Sequence, residues 1–150
     1  MGSGGRALAL AEAVASRVDT VVVFAAGAGP IPRVTVPRGA VVIAADGGVE
    51  FARELGVSVD VVVGDFDSIT SGSLETLGRS GARIERHPRA KDATDLALAL
   101  DAALAFGPRR VLLVGAAGGR LDHLLGELLL LGADAYAAVG VPPFPWTGFD

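Results

Sequence analysis

Along this chain, short runs of apolar residues alternate with longer stretches in which apolar positions recur every three or four residues. The runs cover 20–25, 40–45, 59–63, 82–85, 110–114 and 135–139, and predict strands. Several, such as Val21-Val22-Val23-Phe24-Ala25, are apolar throughout rather than alternating. That pattern belongs to strands buried on both faces of a parallel sheet. Helices are predicted over 6–17, 48–55, 72–79, 95–106 and 121–131. The β-α-β-α order implies right-handed crossovers and an α/β fold, a three-layer α/β/α sandwich around a mostly parallel, Rossmann-like sheet. No internal repeat or interdomain linker breaks the pattern. We therefore divide the chain into an N-terminal extension with its helix (1–19), one domain (20–139) and a Pro/aromatic tail (140–150). The loop over 26–39 holds three of the eight prolines and reads as an irregular surface connection. The tail, Val141-Pro142-Pro143-Phe144-Pro145-Trp146, cannot continue a helix or a central strand. It reads as a packed or frayed terminus rather than a docking arm.

Composition narrows the possibilities. With 51% hydrophobic and 20% charged residues over 150 positions, the chain can bury one core and is not a disordered segment. It has no cysteine, so disulfides, zinc–thiolate sites and thiol nucleophiles are excluded. A net charge of −4 without a basic tract argues against a nucleic-acid groove. No apolar run approaches the roughly 20 residues that cross a bilayer. Met1-Gly2-Ser3-Gly4-Gly5 lacks the regions of a signal peptide and reads as a tag remnant or frayed end. The expectation is a soluble cytoplasmic protein with neither nucleic-acid nor membrane partners.

Aspartates outnumber glutamates eleven to six, and the shorter carboxylate suits turns, caps and metal sites. In an open parallel sheet ligands bind beyond the carboxyl ends of the strands. The residues that follow predicted strands are Asp46-Gly47-Gly48, Gly64-Asp65-Phe66-Asp67-Ser68 and Gly118-Gly119-Arg120-Leu121-Asp122-His123. A fourth group, Lys91-Asp92-Ala93-Thr94-Asp95, opens the helix after the fourth strand and contains the single lysine. Six of the eleven aspartates sit in these four places, which should converge on one rim.

Asp65 and Asp67 form the sharpest pair. If the strand stays extended, both point to the same side with Cα atoms roughly 6.5 Å apart. Their charges would repel by about 4 kcal/mol if they approached to 4 Å at an effective dielectric near 20. A hard cation relieves that repulsion, and magnesium is held by one or two carboxylates, waters and substrate phosphates. The competing reading makes Asp67 a cap and leaves Asp65 solvated. Asp92 is a candidate N-cap and Asp95 a first-turn acid, which by themselves would explain both. Lys91 and Thr94 beside free helix amides instead suggest a phosphate-binding corner.

Gly118-Gly119 would let the backbone approach a ligand, and Arg120 would face phosphate oxygens. Asp122 has a capping explanation of its own. His123 could pack or touch a nucleotide, and packing is the better account, since a single His cannot anchor a transition metal. His87 precedes Pro88 in a polar loop and reads as structural or solvated. There is no Gly-x-x-x-x-Gly-Lys-[Ser/Thr] loop, no Gly-x-Gly-x-x-Gly after the first strand and no Gly-x-Ser-x-Gly elbow. Gly27-Ala28-Gly29-Pro30 is only a partial match. Phosphate handling must rest on a metal and scattered basic groups.

The four junctions, in this order and spacing, resemble the signature set of the thiamine pyrophosphokinase family. The matching residues are Ala44-Ala45-Asp46-Gly47-Gly48, Gly64-Asp65-Phe66-Asp67-Ser68-Ile69, Lys91-Asp92-Ala93-Thr94-Asp95-Leu96 and Gly118-Gly119-Arg120-Leu121-Asp122-His123. The resemblance covers 20–139 and implies a catalytic domain. The implied reaction is attack of the thiamine hydroxyl on the β-phosphorus of ATP, with AMP leaving. Mg2+ would be the cofactor and ATP the co-substrate. Carried over by position, Asp65, Asp67 and Asp95 resemble the magnesium-site carboxylates. Asp46, Gly47, Gly48, Ser68, Lys91, Asp92, Thr94, Gly119, Arg120, Asp122 and His123 resemble the nucleotide and pyrophosphate surround. Asp46, Asp67 and Asp95 are the implied catalytic acids, with Asp67 or Asp95 taking the hydroxyl proton.

The resemblance also implies a homodimer and a second, β-rich domain, which this sequence is expected to lack. Glu127 stands where the family has Asn, and the helix over 6–17 looks like an addition. Two other enzyme readings and one binding reading compete. Asp65-Phe66-Asp67-Ser68 resembles the nucleophile motif of haloacid-dehalogenase phosphatases, although that motif sits on a first strand and has Thr or Val at the position of Ile69. A pyrophosphokinase for another alcohol, such as a hydroxymethylpterin, would use the same domain. The binding alternative is a nucleotide-binding module without catalysis.

Overall fold

The computed structural model describes residues 18–26, 34–67, 69–88 and 94–115. Five strands, β1 (Thr20–Phe24), β2 (Val41–Ala45), β3 (Val61–Gly64), β4 (Arg83–Arg86) and β5 (Arg110–Val114), form one sheet in the order β4-β3-β2-β1-β5. Every pairing is parallel. Three helices, α1 (Gly48–Glu54), α2 (Ser71–Arg79) and α3 (Asp95–Leu104), occupy the connections after β2, β3 and β4. The helices predicted over 6–17 and 121–131, the strand over 135–139, the tail over 140–150 and the middle of the loop over 26–39 lie outside the described residues.

The uniformly apolar strands alternate after all, between two cores rather than between core and water. Val21, Val23, Ile43, Val61 and Val63 face Leu96, Ala99, Leu100 and Ala103 of α3. Val22, Phe24, Val42 and Val62 face the other way, onto Val49 and Ala52 of α1, with half-buried Leu74 and Leu77 of α2 beside them. Each such side chain contributes about 1.5–3 kcal/mol on burial, so the three central strands anchor the domain. The layer assignment follows from handedness. From β1 to β4 the strands progress one way with α1 and α2 on one face. The return past β1 to β5 reverses direction, and α3 lies on the opposite face.

Boundaries shift from expectation by one or two residues, for local reasons. Ala82 belongs to the exit of α2, its N–H donating to Leu77 O at 3.2 Å, so β4 starts at Arg83, whose N–H meets Asp60 O at 2.8 Å. α3 stops at Leu104 because tight turns follow, with the N–H of Gly107 (φ 61°) donating to Leu104 O at 2.9 Å. The two ends of the sheet differ in character. At the amino-terminal edge, Asp60 Oδ2 accepts the Val42 N–H at 2.8 Å, and Arg110 Nε donates to Thr20 Oγ1 at 2.7 Å. Those polar groups hold strands together. The carboxyl edge collects the other acids.

Candidate functional site

β2 passes into α1 through Asp46 and Gly47. Asp46 takes φ 39°, a left-handed conformation that a short polar side chain tolerates. Its N–H donates to Val63 O at 2.8 Å, tying this turn to β3, and its Oδ1 is closed off from solvent. Gly48 begins α1 against the end of β1, where a Cβ would come 2.1 Å from the Phe24 carbonyl oxygen. Only glycine fits there. The close approach foreseen for this glycine is therefore to the backbone of β1. A Cβ on Gly47 would meet the Cβ of Ala26 at 3.0 Å.

β3 ends at Gly64, and the chain does not stay extended. Phe66 has φ 63° and is 4% exposed. Asp65 Oδ1 accepts the Asp67 N–H at 3.0 Å, and the Ile69 N–H donates to Phe66 O at 3.2 Å. The extended spacing expected of Asp65 and Asp67 is thus replaced by a turn, with Asp65 half-buried and Asp67 exposed. The physical reason is the Phe66 ring, which joins the α1–α2 core and pulls the backbone round. Holding a bulky residue left-handed costs on the order of 1–3 kcal/mol, which the burial of the ring offsets. Asp46 and Phe66 are the two non-glycine residues of positive φ among the described residues, and both stand on this rim.

α3 opens with Thr94, not Asp92, as N-cap: Thr94 Oγ1 accepts the Ala97 N–H at 3.2 Å. Asp95 is then the first helical residue, a half-buried first-turn acid as its sequence position implies. Its carboxyl is pushed above the ordinary value of 3.8, first by burial, then by the negative charge of Asp46 and that of Asp65. His87 acts in the opposite sense. Acids from the end of β2, the end of β3 and the start of α3 therefore share one electrostatic neighbourhood.

His87, which the sequence reads as structural or solvated, stands close enough to the rim to act on Asp95. Its N–H donates to Gly64 O at 2.9 Å, which continues β4 beyond Arg86. Strand alternation sets it on the side of Arg83 and Glu85, the side on which the Arg83 guanidinium lies 5.8 Å from the Phe106 ring that follows α3. The usable signal was its place directly after a strand, the criterion that found the aspartates. Among the described residues no three His, Cys, Asp or Glu side chains come close enough to hold one ion by themselves. An ion here would take one or two of these carboxylates and complete its shell with water or ligand oxygens. Ser68, Lys91, Asp92, Gly119, Arg120, Asp122, His123 and Glu127 lie outside the described residues. A phosphatase nucleophile would sit on a first strand, whereas Asp65 follows β3 and β1 leads into Ala25-Ala26.

The thiamin pyrophosphokinase catalytic domain pattern matches residues 35–137. The thiamine pyrophosphokinase of Bacillus subtilis (strain 168) is 37% identical over 89 residues, which are 59% of this chain and 42% of that protein. Among solved structures, a thiamin pyrophosphokinase family protein from Enterococcus faecalis superposes with a TM-score of 0.63 at 28% identity, covering 81% of this chain and 57% of the other. A thiamine pyrophosphokinase from Bacillus subtilis gives 0.61 at 34% identity, covering 76% and 55%. The chain thus spans about half the length of these relatives. Parallel sheet, acidic rim and sequence match agree, and the chain belongs to the thiamin pyrophosphokinase catalytic-domain family.

Proposed function

We propose that this chain carries the catalytic rim of a magnesium-dependent thiamine pyrophosphokinase, which moves a pyrophosphoryl group from ATP to the thiamine hydroxyl and releases AMP. The observation that carries the reading is the coupling of Asp95 to Asp46 and Asp65 across three separate elements. Concentrated negative charge is costly unless a cation shares it, and a cation so held can in turn take an anionic ligand. One or two of the carboxylates of Asp65, Asp67 and Asp95 would hold Mg2+ directly, with water between the ion and the rest, and their hard oxygen donors fit an ion that keeps several waters. When bound, Mg2+ would neutralise charge on the polyphosphate.

The remaining work falls to the chain itself. Thr94 fixes the first turn of α3 and so the place of Asp95. Gly48 brings α1 against β1 and so sets Asp46 at the rim. Lys91, Thr94 and Arg120 are assigned to phosphate, with Gly47, Gly119, Asp122 and His123 around the nucleotide. The candidate acceptors of the thiamine hydroxyl proton are Asp67 and Asp95. Transfer of this type depends chiefly on positioning and charge neutralisation. Among the described residues no helix is long and apolar enough to cross a membrane. A homodimer in the cytoplasm is the expected assembly and setting, and light scattering of the purified chain tests the dimer.

The test is an AMP-release assay with ATP, Mg2+ and thiamine. Thiamine-dependent AMP formation supports the assignment. AMP formation with a hydroxymethylpterin but not thiamine would move it to another acceptor. Absence of AMP with every acceptor would leave a nucleotide-binding module.

A further inference from the structure

We propose that Arg86, at the carboxyl end of edge strand β4, binds the polyphosphate of a nucleotide held at the acidic rim. The inference rests on the nucleotide-binding reading above and adds a residue to it. Arg86 stands in register with Gly64, the last residue of β3, and its guanidinium carbon lies 5.4 Å from the centroid of the Phe66 ring. Phe66 is the buried, left-handed residue between Asp65 and Asp67. The guanidinium therefore lies at the ring of the residue that separates the two carboxylates in sequence.

A guanidinium attracted to a ring keeps N–H donors available for a planar or tetrahedral anion. The contact also favours one placement of the side chain beforehand, which reduces the ordering cost of binding. Among the described residues Arg86, like Arg38 and Arg109, enters no ion pair, whereas Arg53, Arg79, Arg83 and Arg110 each lie within 4.0 Å of an acid. The pleat explains the difference. Arg83 and Glu85 share one side of β4 and meet there at 2.5 Å, while Arg86 lies on the other side, over Phe66. An exposed cation at the same carboxyl end of the sheet as the rim acids offers the far oxygens of a metal-bound polyphosphate a bidentate partner.

The experiment measures ATP, ADP, AMP and adenosine binding by calorimetry with Mg2+, for the full chain and for Arg86→Gln and Arg86→Lys. Loss of a charge-assisted pair predicts roughly tenfold weaker ATP and ADP binding in Arg86→Gln, with AMP changed less and adenosine unchanged. Arg86→Lys should recover part of the loss, because it keeps charge without the fork. Equal weakening for all four ligands, or unchanged ATP affinity in Arg86→Gln, would overturn the role of Arg86 while leaving nucleotide binding by the chain intact. An unmutated chain that fails to bind ATP would overturn the underlying reading and this inference with it.

Discussion

Gly64 at the end of β3 lies against Asp46 at the end of β2 so closely that a Cβ on the glycine would come 3.2 Å from the Asp46 Cβ. Its φ of 154° is also one that side chains rarely adopt. Gly64→Ala should therefore push Asp46 aside and cost about 1–3 kcal/mol of stability. Denaturant unfolding checks this, with Gly72→Ala as control. Gly72 has open space around it within α2, and alanine there should stabilise by about 0.5–1 kcal/mol.

Gly48→Ala should do more damage than Gly64→Ala. The added methyl would lie 2.1 Å from the Phe24 carbonyl oxygen, a backbone atom that cannot swing away. Loss of more than about 4 kcal/mol, or failure to fold, is expected. A Gly48→Ala protein with an unchanged melting temperature would contradict the packing of α1 against β1.

Asp95 predicts an unusual pH response. Its folded-state proton affinity exceeds that of the unfolded chain, so the native state binds more protons between 3.8 and the raised value. Stability must fall as pH rises through that window and stay lower above it. Asp95→Asn removes the effect, and the variant should be more stable than the parent at pH 7. The two should converge as pH drops below 3.8. Chemical denaturation across pH tests the sign, and a less stable Asn variant at neutral pH would contradict crowding by burial, Asp46 and Asp65.

Thr94→Ala removes the hydroxyl that caps α3 and should cost about 0.5–2 kcal/mol, whereas Thr94→Ser should cost little. Asp95 stands next in the chain, so the Ala variant should also weaken nucleotide binding if the first turn frays. Thermal unfolding and calorimetry on the same samples separate the two effects.

Much of this was legible from residue order alone. Uniform apolar runs such as Val61-Val62-Val63 gave buried parallel strands, and the rule that ligands sit beyond strand ends pointed to Asp46, Asp65 and Asp95. The Asp65–Asp67 geometry was not legible. An extended chain was assumed, but the demand of the Phe66 ring for a place in the core governs the backbone there. Nor was the cap of α3 legible: Asp92 is the candidate read from sequence, whereas Thr94 holds the place, since both residue types fill that role and the choice depends on where the helix starts. His87 reads from sequence as structural or solvated because the pleat that sets it on the α3 side exists only once β4 is aligned on β3.

The central claim is that the rim acids gather a divalent ion and a polyphosphate, and ATP calorimetry with and without Mg2+ on the parent chain and Asp65→Asn tests it most directly. The account predicts Mg2+-dependent binding by the parent and its loss in a folded Asp65→Asn variant. Equal ATP affinity in the two proteins, with Mg2+ making no difference to either, would contradict it.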